Sequence, residues 1–164
     1  MLEHCANAKE RWGGVSKILE NWFSQRQDLI VEFCTISGVH ALASDNPQEP
    51  VESIQHFCEL MVDYVSAGHF EVYDHLIQEA EAFGDSSALE AATALYPKIS
   101  STTEKVLAFN DKLPQMLSPD NQELSLAREL SLVGEVLVSR FELEDELVAK
   151  LHDSHKEIVA NASA

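Results

Sequence analysis

Apolar residues recur at three- and four-residue steps through four long stretches of this chain, and no stretch alternates apolar with polar long enough to make a strand. That periodicity commits the fold to helices. The first stretch runs from about residue 3 to 37, with Trp12, Val15, Leu19, Trp22, Leu29 or Ile30, and Phe33 on one stripe. Gly13-Gly14 would soften its start, since a glycine costs about 1 kcal/mol inside a helix, and Ser37-Gly38 marks its end. Ser44, Asp45, Asn46, Pro47 and Pro50 signal a loop over 38–50. The second stretch spans about 48 to 82 and closes at Gly84-Asp85, with a turn over 83–86. The third begins at the capping candidates Ser86-Ser87 and reaches about residue 112. Pro97 inside it is expected to kink or split the helix near Tyr96, because proline removes a donor and clashes with the preceding turn. Pro114 and Pro119 mark a break over 112–121. Asp120 or Asn121 can cap the last helix, which carries Leu124, Ala127, Leu130, Val133, Leu137, Phe141, Leu147 or Val148, and Leu151. The tail over 157–164 is expected to fray.

Short connections make sequential helices antiparallel. The expected fold is therefore one all-α domain over 1–164, an elongated up-down-up-down four-helix bundle with a kinked or split third segment. Its rods would be roughly 40–50 Å long at 1.5 Å per residue. A chain of 164 residues is long enough to bury a core without disulfides or metals.

The net charge is −17, from 11 basic and 28 acidic residues. Such a surface argues against direct nucleic-acid binding, which needs a surplus of Lys and Arg, and favours a basic partner. Its bland counterpart is acidity that only keeps the protein in solution. Cys5, Cys34 and Cys58 are odd in number and lack metal-site spacing; the last two sit among apolar neighbours and read as small core residues. The start, MLEHCANAKERWGG, has no apolar run, and nothing approaches the ~20 apolar residues of a membrane span. The expected compartment is the cytoplasm.

Within the second stretch, Leu60–Leu76 reads LMVDYVSAGHFEVYDHL. Met61, Val65, Gly68, Val72 and Leu76 fall on one face and form its core stripe. The opposite face presents Glu59, Asp63, Ser66, Phe70 and Asp74, with Glu71 beside them. Phe70 comes seven residues after Asp63, near the same helical angle. An outward aromatic beside carboxylates suits a binding surface better than a solvated face. A rotated helix would instead put Phe70 in the core. Gly68, with Ser66 and Ala67, removes bulk over one turn and suits close packing inside the bundle.

Seven histidines in a helical bundle raise a metal-site reading, but no histidine has a glutamate three positions before it. His152 and His155 lie near the terminus. His69 and Glu144 border inward-facing positions, as a metal or acid–base pair or, more simply, as structural hydrogen-bond partners, with Arg140 available to Glu144. The acidic run Glu142, Glu144, Asp145, Glu146 ordinarily marks a solvated face. Nucleophile–base pairs, phosphate-cradling glycine loops and dinucleotide motifs do not occur, so neither an enzyme nor a cofactor is indicated.

DYVSAGHFEVYDHL at Asp63–Leu76 closely resembles the signature of the Rsd/AlgQ family of anti-sigma regulators. ERWGGVSKILENWFSQRQDLIVEF at Glu10–Phe33, ALYPKI at Ala94–Ile99, AFND at Ala108–Asp111 and RFELEDELV at Arg140–Val148 extend the resemblance along the chain, nearer to the AlgQ branch. The resemblance implies a helical bundle that binds the C-terminal, promoter-reading domain of the housekeeping sigma factor. It implies that Asp63, in the family's motif, accepts hydrogen bonds from a sigma arginine. The first helix would add Trp22 and Arg26 to this face. Occlusion of sigma from core polymerase and promoter DNA would then favour alternative sigma factors, with a link to alginate control in AlgQ-like relatives. A weak homodimer of the free protein through the same apolar surface stays open. So do two other readings: a hemerythrin-like metal-binding bundle, and an acidic scaffold for a different basic protein.

Overall fold

A computed structural model describes residues 2–41, 49–118 and 123–162, with side chains described over 9–37, 51–118 and 126–161. The elements are α1 (Leu2–Ala41), α2 (Glu49–Ala67), a π-helical turn (Gly68–Val72), α3 (Tyr73–Ala82), α4 (Ser86–Met116), α5 (Glu123–Leu151), a 3-10 turn (Asp153–His155) and α6 (Lys156–Ala162). Among the described residues there is no strand. The architecture is an all-α four-helix bundle whose last rod bends near its end. Here α2, the π turn and α3 form one rod.

The apolar stripes read from the sequence line one continuous core. Val15, Leu19, Trp22 and Leu29 of α1 meet Phe57, Met61, Val65, Val72 and Leu76 of the second rod. Ile99, Val106 and Phe109 of α4 and Leu130, Val133, Leu137 and Leu151 of α5 complete it. Ala127 is exposed, and Leu126 takes the inward position instead. Gly134 brings α5 against α1: a Cβ there would lie 2.6 Å from the Phe33 ring.

Several boundaries differ from the sequence reading. α1 continues past Ser37-Gly38 to Ala41, with Ile36 buried near its end. Asp120 and Asn121, the expected caps of α5, lie outside the described residues. α4 does not split at Pro97. Both Pro97 and Thr93, whose carbonyl the proline leaves without its helical donor, are exposed, so water can satisfy that oxygen. α4 likewise runs through Pro114 to Met116.

The reversal between α3 and α4 is set by Gly84, whose φ of +65° disfavours a side chain. Gly84 N–H donates to the Glu81 carbonyl and Asp85 N–H to that of Ala80, the double closure of a glycine-terminated helix. Asp85 then caps α4, accepting from the Ala88 N–H at 3.0 Å, so the cap precedes Ser86-Ser87 by one residue. This amide, with His155, holds the Asp85 carboxyl below its ordinary value.

His152 and His155 are buried, contrary to their expected place near a frayed end. Both Nδ1 atoms meet the buried Glu79 carboxylate, at 2.6 and 2.8 Å. His155 Nε2 lies 2.9 Å from Asp85, while Ser16 Oγ lies 2.8 Å from His152 Nε2. Trp12 stacks on His152 and Phe83 on His155. This clasp fixes the bend that carries α6 back against α1. Cys58 is buried, and burial pushes its thiol up to about 11. Cys34 is exposed rather than a core residue, on the outer side of α1.

Candidate functional site

The second rod is interrupted where its sequence is most unusual. At Gly68–Val72 the backbone widens into a π turn, closed by the Tyr73 N–H donating to the Gly68 carbonyl. Such turns insert one residue and shift the phase of everything after it, and they occur frequently at functional sites. Gly68 permits the widening: a Cβ there would lie 2.9 Å from the Tyr73 hydroxyl and 3.4 Å from the Trp22 ring. The small residue serves close packing inside the bundle.

On the outer side of this turn Phe70 is 84% exposed, the most exposed large apolar side chain among the described residues. Glu59, Asp63, Glu71 and Asp74 are also exposed, and Ser66 is half-buried. The face read from periodicity is therefore present, and Phe70 is not a core residue. Trp22 lies in the core, as its place on the α1 stripe predicts, and not on the exposed face to which the resemblance would add it. It is 2% exposed, stacks on Tyr64 with ring centroids 5.0 Å apart, and donates its indole N–H to the Tyr64 carbonyl. It shapes the face from beneath and is almost closed to solvent. Arg26 is mostly buried and already paired: it reaches Asp145 at 2.5 Å, and its charge lies over the Phe23 and Phe141 rings.

Beneath the face runs a chain of polar contacts, of which the sequence pattern marks His69, Arg140 and Glu144 and misses Thr103, Tyr73 and Tyr64. His69 Nε2 lies 2.7 Å from the Thr103 hydroxyl, which accepts from Arg140 at 2.7 Å. Arg140, fully buried, also donates to Tyr73 and meets Glu144 at 2.5 Å. Glu144 accepts from the Tyr64 hydroxyl, and that hydroxyl accepts from Arg26. Burial pushes the Glu144 carboxyl up, against the opposing pull of Arg140, Tyr64 and Arg26. Burial and then the Glu144 charge push the Tyr64 phenol up, which keeps it a donor. Burial, with the Arg140 charge, pushes His69 down. His69 and Glu144 do not pair with each other; each is held by the network. Arg140 and Glu144 pair as i,i+4 neighbours inside the bundle, the structural role expected of them, although the acidic run around Glu144 reads as solvated surface.

Among the described residues no group of three or more His, Cys, Asp or Glu is arranged to hold a metal ion. Nor is any helix there long and apolar enough to cross a membrane.

The chain matches the family model described as "Regulator of RNA polymerase sigma(70) subunit, Rsd/AlgQ" over residues 1–152. The chain belongs to the Rsd/AlgQ family. Its relatives include proteins named regulator of sigma D. That of Yersinia pseudotuberculosis serotype O:1b (strain IP 31758) is 33% identical over 149 residues, covering 90% of this chain and 87% of the relative. That of Enterobacter sp. (strain 638) is 30% identical over 155 residues, covering 94% and 92%. The match to the Rsd/AlgQ model includes the π turn and the polar chain beneath it and ends at His152, so His155 and α6 lie beyond it.

Proposed function

We propose that this protein binds the C-terminal, promoter-reading domain of the housekeeping sigma factor and withholds it from core RNA polymerase and promoter DNA. Family membership supports sigma as the partner. The observation that carries the choice of face is Phe70, 84% exposed on a π turn and flanked by exposed carboxylates. An exposed ring of this size is a candidate anchor for a partner, and carboxylates around it select a basic one. Asp63 accepts charge-assisted hydrogen bonds from a sigma arginine, with Glu59, Ser66, Phe70, Glu71 and Asp74 around it. Trp22 and Arg26 hold the face in shape. The net charge of −17 steers a DNA-binding, hence basic, domain toward it.

The mechanism is mass action without a chemical step. Each sigma molecule bound here is unavailable to core polymerase, and alternative sigma factors gain access. Control of alginate production, as in AlgQ-like relatives, is one expected output. Competition tests the proposal: increasing amounts of this protein should displace labelled housekeeping sigma from core polymerase. Stable sigma–core complex at a large excess of folded protein would contradict it.

A further inference from the structure

Beside the Phe70 face, α3 and α4 enclose an open groove of about 590 Å³. Asp74 and Ile77 line one wall, Leu89, Thr93 and Tyr96 line the other, and Leu147 of α5 closes the base. Asp74 stands four residues after Phe70, about one turn further along the rod. Tyr96 is 48% exposed, with its ring edge-on to that of His69. Its lining includes one carboxylate, Asp74, and no cation. Two other cavities mix both signs, Lys105 and Lys112 with Glu129 and Glu135 in one and Lys156 with Glu20, Asp145 and Asp153 in the other, so an incoming cation there would meet a lysine.

We infer that the α3/α4 groove takes a long basic side chain, arginine or lysine, from the partner's helix, as a second anchor beside Asp63. The inference rests on the sigma-binding reading and specifies its chemistry. A basic side chain is amphipathic along its length, and so is the groove. Its methylenes match Ile77, Leu89 and Leu147; its charge meets Asp74 and the exposed ring of Tyr96. A purely apolar guest would desolvate Asp74 without compensation. An acidic guest would face Asp74 in a chain that already carries a charge of −17. Asp63 and Asp74 are eleven residues apart in sequence, which places them about 16 Å apart along the rod. The partner must therefore present two cations at about that separation.

The test is calorimetric titration of the C-terminal domain of the housekeeping sigma factor into wild type, Asp63→Arg, Asp74→Asn and Thr93→Trp, with helicity checked for each. Asp74 and Thr93 are exposed, so the fold should survive both changes. Asp74→Asn removes the charge, and Thr93→Trp fills the groove from its wall. Each should weaken binding about tenfold, and Asp74→Asn should also flatten its salt dependence. Wild-type affinity in both, with Asp63→Arg weakened, would overturn the groove while leaving the sigma reading intact. No binding by folded wild type would overturn both. Unchanged sigma affinity with altered self-association of Thr93→Trp in sedimentation would make the occupant a second copy of this chain, which also overturns the inference.

Discussion

The Tyr64 hydroxyl lies 2.5 Å from the Glu144 carboxylate and joins α2 to α5, one residue along the chain from the exposed Asp63. The face and the buried polar chain are thus two sides of one turn of helix. Glu144 has no solvent to fall back on, and Arg140 beside it is equally buried. Glu144→Gln leaves the Arg140 charge without its counterion, and breaking such a buried pair costs about 3–5 kcal/mol. Tyr64→Phe removes one donor and should cost about 1–3 kcal/mol. Urea unfolding of the two variants checks both values and their order.

Gly68 separates two expectations of opposite sign. Helix propensity alone favours Gly68→Ala by about 1 kcal/mol. The added Cβ would stand 2.9 Å from the Tyr73 hydroxyl and 3.4 Å from the Trp22 ring, and overpacking of this kind costs about 1–3 kcal/mol. The variant should be less stable than wild type in denaturant unfolding. A gain in stability would mean that the π turn relaxes without difficulty.

Much of this was legible in the sequence. The stripe Met61, Val65, Gly68, Val72, Leu76 is buried, and Asp63 and Phe70 face outward, because helical periodicity reports burial directly. The π turn was not legible. It displaces the phase by one residue, and with aromatic side chains at Tyr64, Phe70 and Tyr73 either phase leaves a plausible stripe. The clasp of Glu79 by His152 and His155 was hidden because Glu79 is more than seventy residues from either histidine in sequence. α4 does not split at Pro97 because Thr93 and Pro97 are exposed, so water can reach the carbonyl that the proline frees. Trp22 follows the α1 stripe into the core, and a large ring beneath a binding face can support that face without reaching its surface.

His69 gives the fold a pH dependence of definite sign. Burial, with the Arg140 charge, holds its folded value below the ordinary histidine value of 6.5. A depressed histidine contributes stability that is present above its unfolded value and lost as pH falls through the folded one. Glu144, whose value is raised, acts oppositely: its contribution is lost as pH rises through its folded value. The difference between wild type and His69→Gln isolates the histidine. Wild type should lose more stability than the variant on acidification from about pH 7 to about pH 5. Thermal melts across that range check it.

Titration of the C-terminal domain of the housekeeping sigma factor into wild type and Asp63→Arg, at low and high salt, tests the central claim most directly. Binding by wild type should weaken with salt, and charge reversal at an exposed position should weaken it at least tenfold with helicity unchanged. Equal affinity in the two proteins, or no binding by folded wild type, would contradict the account.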